Sequence, residues 1–266
     1  MKICVLVTTM HQSDFSRYDD MNLQSDAVIA NQCDINEITE TVVGGHKVKM
    51  VSTDGRGASL NRNIAMEHSY EDEYLLFADD DLVFADGYED VIATEFEAHP
   101  EAEAIKFNLR FTGDGSRTSM KPIEKWERAT RKNMSSSGVW GIVIKRNVLK
   151  RVNLFFDESF GPGTANYCGE DTIFVQSLLK RKVRMYRSDK YIAAVDQKNS
   201  SWYEGRTKRY YETVGMVFQR IYPGAAWLLA VRSSYKHSKK DGSGLSFAEM
   251  LKCYTDGINR VRRGDY

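Results

Sequence analysis

The sequence predicts an α/β protein with a mostly parallel central sheet and flanking helices. Three observations predict it. Short apolar runs alternate with helical patterns along most of the chain. The first run, Lys2–Thr9, is apolar almost throughout and ends in two threonines, as a strand buried on both faces does. Several runs end in polar or acidic residues, and ligands of such sheets bind beyond the carboxyl ends of strands. Those ends are Thr8/Thr9, Asn31–Asp34, Ser52–Arg56 and Asp79–Asp81.

The elements follow in order. Residues 10–25 are polar and read as a loop or surface helix. Asp26–Asn31 and Lys47–Ser52 are strand candidates. In the stretch 52–68 a Gly-rich turn gives way to a helix on which Leu60, Ile64 and Ala65 recur at helical spacing. Tyr74–Ala78 is a short strand that stops at Asp79-Asp80-Asp81, and Asp86–His99 is a helix closed by Pro100. Ala104–Phe111 and Gly138–Ile144 are strand candidates, separated by a long polar loop over 112–137. Arg146–Val152 is a short helix, and Phe160–Gly169 a loop rich in glycine. Glu170–Arg181 is an amphipathic helix with Ile173, Phe174, Ser177 and Leu178 on one side. Val183–Tyr186 and Tyr191–Val195 read as strands. Residues 203–231 are helical with a break near Pro223-Gly224, and Leu245–Arg260 forms a last helix.

With 266 residues the chain can bury a sizeable core. Lys plus Arg and Asp plus Glu each number 37, which disfavours a chain-wide polycationic nucleic-acid binder. The zero net charge hides a gradient: residues 1–100 hold 6 basic and 20 acidic residues, residues 201–266 hold 12 and 6. An acidic half suits an anion only through a divalent cation between them; an unevenly charged surface is the plainer reading. The four cysteines form no C-x-x-C pair, which fits a reducing compartment. The opening residues lack the apolar core of a signal peptide, and no run approaches the roughly 20 apolar residues that span a bilayer. The expected location is the cytoplasm, with the inner face of the cell membrane as the variant.

Three segments carry chemistry. In an extended backbone Asp79 and Asp81 point to one side, where two carboxylates repel unless a cation sits between them. Mg²⁺ or Mn²⁺ suits such hard oxygen ligands; a polar turn is the alternative. In Ser52–Asn63, Gly55 and Gly57 free the backbone, Ser59 or Asn61 could cap a helix, and Arg62 offers a bidentate phosphate donor. This is neither a P-loop nor G-x-G-x-x-G, and an ordinary turn with Arg62 in a surface ion pair would also explain it. Glu170-Asp171 open a helix after a Gly-rich loop, a position that stabilises a carboxylate and suits a general base; pure capping is the alternative. The five histidines form no obvious cluster.

Taken in order, these segments resemble the family 2 glycosyltransferases, whose catalytic domain has the GT-A fold. The likeness runs from Lys2 to about Val195. It rests on the strand Ile3–Thr9, the Ser59–Asn63 segment before a helix, Asp79-Asp80-Asp81 after an apolar strand, and Glu170-Asp171 before an amphipathic helix. The resemblance implies a catalytic domain over residues 1–201, a helical extension over 202–266, and a nucleoside-diphosphate-sugar donor with Mg²⁺ or Mn²⁺ on its diphosphate. Asp81 would be the chief metal ligand and Asp79 the second, with Asp80 beside them at the donor. Arg62 and Ser59 would lie at the diphosphate, and Thr8, Thr9 and Asp34 near base and ribose. Ser137, Gly138 and Trp140 would line the sugar pocket, although a tryptophan there also suits a core. Asp171 would be the general base and Glu170 its partner, in a single displacement with inversion on an acceptor hydroxyl. A histidine frequent in that family is missing here, and Asp196 or Lys198 would stand in its place.

The extension joins Arg206, Lys208 and Arg209 to an apolar patch of Trp227, Leu228, Leu229 and Val231, then Arg232, Lys236, Lys239 and Lys240. It packs on the catalytic domain, lies on anionic lipid as a peripheral membrane contact, or forms a homodimer. The resemblance places the reaction in bacterial surface polysaccharide or glycolipid synthesis, with a saccharide or lipid-linked saccharide acceptor and no nucleic acid. Two other functions stand beside it: a sugar-phosphate nucleotidyltransferase, and a non-catalytic sugar-nucleotide-binding protein.

Overall fold

The computed structural model describes residues 1–70, 74–112, 121–135, 137–196, 205–238 and 243–266. In chain order the elements are β1 (Ile3–Met10), α1 (Ser16–Asp20), β2 (Asp26–Gln32), β3 (Glu37–Val43), β4 (His46–Thr53), α2 (Ala58–Glu67), β5 (Tyr74–Asp79), β6 (Leu82–Phe84) and α3 (Tyr88–Ala98). There follow β7 (Ala104–Thr112), β8 (Glu127–Arg128), β9 (Ile142–Lys145), α4 (Arg146–Val152), α5 (Glu170–Lys180), β10 (Met185–Asp196), α6 (Lys208–Ile221), α7 (Ala226–His237) and α8 (Phe247–Arg263).

Among the described residues ten strands form one sheet in the order β3-β4-β2-β1-β5-β9-β7-β10-β6, with β8 beside β10. Its apolar centre is β1, buried from Ile3 to Val7 between β2 and β5, both parallel to it. One core cluster fills each face. Val5, Ile29, Leu76, Tyr88 and Phe107 belong to one, and Leu6, Phe77, Ile144, Phe174 and Leu178 to the other.

The expectation of a GT-A fold with a mostly parallel central sheet is corrected by the pairing. Only β1–β2, β1–β5, β2–β4 and β7–β10 are parallel. The pairs β3–β4, β5–β9, β7–β9, β6–β10 and β8–β10 are antiparallel, so the sheet is mixed. Two causes are visible. Strand β3 (EITETVV) joins β4 through Gly44-Gly45, whose φ angles of 57° and 90° are those of a tight two-residue hairpin. The strand predicted from Gly138 begins only at Ile142, because Gly141 turns the chain with φ 71°. Strand β9 then inserts in reverse between β5 and β7.

The register brings the predicted strand ends side by side. Thr8 pairs with Asp79, Thr9 with Asn31, and Asn31 with Ser52. Asn31 Nδ2 donates to Ser52 Oγ at 3.0 Å.

Helix α2 inverts the expected amphipathicity. Its buried side chains are Ser59, Asn61, Arg62, Asn63, Ala65 and Met66, while Leu60 and Ile64 are half-buried. Each of the buried polar side chains makes hydrogen bonds, as burial requires, although Asn61 Oδ1 has no partner among the described residues. Asn61 Nδ2 donates to the carbonyls of Thr9 and Ala30, Asn63 Nδ2 to that of Phe156, and Ser59 Oγ to that of Phe160. The helix thereby fastens two strand ends to the loop that leads to α5.

The three C-terminal helices pack on this assembly through α6. Met216, Val217 and Ile221 of α6 cluster with Phe160 and with Ile173 of α5. Helices α6 and α8 meet at Gly215 and Gly257. A Cβ on Gly215 would stand 2.2 Å from the Tyr254 carbonyl oxygen, and one on Gly257 1.9 Å from that of Glu212. No helix of the described residues is long and apolar enough to cross a membrane.

Candidate active site

Strand β5 delivers Asp79 at its last residue, and the turn into β6 carries Asp80 and Asp81. Thr8 Oγ1 donates to Asp79 Oδ1 at 3.4 Å and Thr9 Oγ1 to Asp80 Oδ2 at 2.5 Å. The two threonines expected at base and ribose thus hold the acidic turn against the end of β1.

Across from it, α5 begins at Glu170. Its N-cap is Gly169 at φ 100°, where a Cβ would lie 2.3 Å from Cγ2 of Val217 on α6. Gly161, at φ 110°, backs onto Glu170, where a Cβ would meet its Cγ at 3.1 Å. Two glycines therefore allow the loop and α6 to close on the first turn of α5, which fixes Glu170 and Asp171.

The buried guanidinium of Arg62 joins the two motifs. Nη2 lies 3.0 Å from Asp79 Oδ1, and Nη1 lies 3.2 Å from Glu170 Oε1 and 2.9 Å from Asp171 Oδ1. The Arg62 Nη1 and Nη2 thus face three carboxylates. At the start of α2 the Ala58 N–H donates to the Pro162 carbonyl at 2.9 Å and Ser59 Oγ to that of Phe160. The helix begins after Gly57, not after Ser59 or Asn61.

Asp171 Oδ2 accepts from the Val139 N–H at 3.2 Å, whereas Oδ1 has its ion pair with Arg62 but no aligned hydrogen-bond donor among the described residues. Burial pushes the Asp171 carboxyl up from the usual range, Arg62 opposes this, and Asp79 adds to it. Burial also raises Glu170, reinforced by the neighbouring Asp171 charge. For Arg62, burial alone would lower the pKa, but Asp171, Asp79 and Glu170 outweigh it and hold the cation firmly charged.

Sequence reasoning missed Lys106. This residue of β7 is buried, and its ammonium donates to the Gly138 carbonyl at 3.1 Å and, more closely, to that of Trp140. It lies 3.8 Å from the centre of the Trp140 ring. Burial pushes its pKa down to about 7, against the pull of Asp171 and Asp79. A lysine within the otherwise apolar run AIKF was the available signal, since an amine there needs partners.

The other predicted residues separate. Trp140 is half-buried against the core, with Phe111 on its edge and Lys106 on its face. Gly138 lies under the Trp140 indole, where a Cβ would stand 2.3 Å from Nε1. Ser137 Oγ donates to the Gly138 carbonyl at 3.2 Å. Asp34 is exposed and pairs with Arg56 at 2.6 Å. Lys198 lies outside the described residues, as does the side chain of Asp196.

Asp34 borders a cavity of about 650 Å³ beyond the ends of β1, β2 and β4, lined also by His11, Gln12, Phe15, Cys33 and Ser52. His11 holds a left-handed φ of 55°, which non-glycine residues adopt at a cost. Such strain concentrates at functional sites.

Among the described residues no three His, Cys, Asp or Glu side chains stand as a metal-ligating group. The chemistry of the acidic turn nevertheless fits a hard cation. Both contacts to Asp79 described above fall on Oδ1, and its side chain remains 32% exposed. Asp79, Glu170 and Asp171 also outnumber the one guanidinium they share.

No family model matches the chain, and no curated protein matches it by sequence. Solved structures do. A crystal structure of S. aureus TarS 1–349 in complex with UDP-GlcNAc superposes with a TM-score of 0.63 at 14% identity, over 100% of this chain and 93% of that one. The same TarS segment in complex with UDP gives 0.59 at 13% identity, with the same coverage. A longer S. aureus TarS structure gives 0.61 at 14% identity, over 92% of this chain and 45% of that one. These matches replace the assignment to the family 2 glycosyltransferases and its fold label: what they show is the fold of TarS, and at such identities the fold alone.

Proposed function

We propose that the protein transfers a sugar from a nucleoside-diphosphate-sugar to an acceptor hydroxyl, in the synthesis of a bacterial surface polysaccharide. The observation that carries this reading is the junction at Arg62. It brings the acidic turn and the Glu170-Asp171 pair, 89 residues apart from Asp81 to Glu170 in the sequence, to one centre at the end of the sheet. The shared fold with TarS, crystallised with UDP-GlcNAc and with UDP, supports the donor class.

The cavity beside Asp34 has the size of a small-molecule site and takes the nucleoside, with His11 and Phe15 as its ring-bearing walls. Asp81 and Asp79 would hold Mg²⁺ or Mn²⁺, which supplies positive charge to the leaving diphosphate. Arg62 keeps Asp79 and Asp171 in place. Asp171 takes the proton of the acceptor hydroxyl. Burial raises its pKa and makes it a stronger base than a surface carboxylate. The Val139 N–H holds Oδ2, so that the carboxylate cannot turn away.

The test is thermal unfolding of the purified protein with a panel of nucleoside diphosphates and their sugars, with and without Mn²⁺. A matching nucleotide raises the unfolding temperature, and Asp81→Ala loses the part that needs metal. Asp171→Asn keeps the donor's protection and slows transfer by about 10²–10⁴-fold. Near-normal turnover in Asp171→Asn would remove this residue from the base role, and a panel without any protection would remove the donor class.

A further inference from the structure

Helix α7 presents an exposed apolar face. Ala226, Ala230 and Ser234 are buried, the first two in a cluster with Met250 and Tyr254 of α8. At about 100° per residue, Trp227, Val231, Tyr235 and Leu228 fall together on the flank next to this buried stripe. They are 41%, 43%, 64% and 71% exposed, respectively. Arg232 and Lys236 follow next around the circumference, and both are exposed.

We infer that this face of α7 rests on an anionic lipid surface. Charge is the first argument. Residues 213–240 contain no Asp or Glu, while Arg220, Arg232, Lys236, Lys239 and Lys240 are basic. Of these, Arg220 is paired with Asp157. In a chain with no net charge, this segment is one-signed. The second argument is the kind of apolar residue. Trp227 and Tyr235 each join a large apolar ring to a polar tip, which suits the headgroup layer. Leu228 and Val231 supply shallow apolar burial beside them, and the long stems of Arg232 and Lys236 let their charges reach phosphate. A second copy of the chain fits worse. A two-fold contact through this face would set Arg232 and Lys236 against their equivalents, with no carboxylate on the helix to offset them.

The proposal uses no residue of the proposed catalytic centre, and its test involves no nucleotide, so either reading can fail alone. The full chain is sedimented with vesicles of phosphatidylcholine and with vesicles that also contain phosphatidylglycerol, at low and high salt. The protein is expected to pellet with the anionic vesicles only, and less so at high salt. Leu228→Glu and the double variant Arg232→Glu/Lys236→Glu are each expected to lower the bound fraction about tenfold. Their unfolding temperatures should match the wild type, because these side chains are exposed. Three results would overturn the proposal: no binding of the wild type to anionic vesicles, equal binding by the variants, or a lipid-free dimer that Leu228→Glu dissociates. The last would assign the face to a second copy.

Discussion

Arg62 Nη1 stands 2.9 Å from Asp171 Oδ1 without an aligned hydrogen between them. The guanidinium therefore stabilises the carboxylate's charge through proximity alone, without a directed hydrogen bond to that oxygen. One buried cation serves both the acidic turn and the opening of α5, and much of the site's geometry depends on it.

Replacing Arg62 tests this dependence. Arg62→Met strands three carboxylates in a buried place, and removal of one partner from such a cluster costs about 3–5 kcal/mol. For a chain of this size the unfolding temperature should fall on the order of 10 °C, measured by calorimetry. A variant as stable as the wild type would show that water or protonation satisfies the carboxylates without the arginine.

Lys106 makes a different prediction. Its ammonium ties together the carbonyls of Gly138 and Trp140, which flank the Val139 N–H bound to Asp171. Lys106→Met removes both bonds. Hydrogen exchange at the Val139 amide should become faster by about tenfold or more, since each lost hydrogen bond is worth on the order of 1 kcal/mol. Unchanged protection would mean that packing of Trp140 holds the turn by itself.

The α6–α8 crossing is equally sharp. With only 1.9 Å between a Cβ at position 257 and the Glu212 oxygen, Gly257→Ala forces the helices apart. The expected loss is about 1–3 kcal/mol, as for other overpacked cores. Gly224 has no atom within 4 Å of its Cβ position, so Gly224→Ala should stay within about 0.5 kcal/mol of the wild type. Denaturant unfolding of the two variants side by side decides the point.

Glu103 governs a pH dependence. The Arg151 hydrogen bond outweighs burial and, with the Arg184 N–H, holds its pKa down to about 2. A depressed carboxylate stabilises the fold above its unfolded pKa, and that stability is lost as pH falls from about 4.5 towards 2. Glu103→Gln should cost about 1.5–3 kcal/mol near neutral pH and lose less than the wild type on acidification. Urea unfolding measured across that range gives the comparison. Parallel wild-type and variant curves would show that Glu103 does not titrate abnormally.

Local patterning already carried much of this molecule. The apolar run of β1, the stop of β5 at Asp79 and the start of α5 at Glu170 appear as the residues indicate, because burial of alternate or successive apolar side chains is written in adjacent positions. The β3–β4 hairpin was legible too, in the Gly44-Gly45 pair between two strand-forming runs, but that turn signal was passed over. The direction of β9 was not legible. It depends on Gly141 taking a left-handed turn that only its neighbours β5 and β7 require.

The site divides the same way. Which residue types could do chemistry was plain from the acidic turn and the Glu170-Asp171 pair. Which of them meet was decided by tertiary packing. Residues 62 and 170 are 108 positions apart, and nothing in the short-range pattern of α2 reveals that its polar face turns inward. Sequence alone indicated the buried central strands and the carboxylates, since those follow from local burial and residue chemistry. Only the folded chain could set Arg62 against three acids and bring Lys106 beneath the Gly138–Trp140 turn, because long-range contacts and desolvation exist only once the elements have packed.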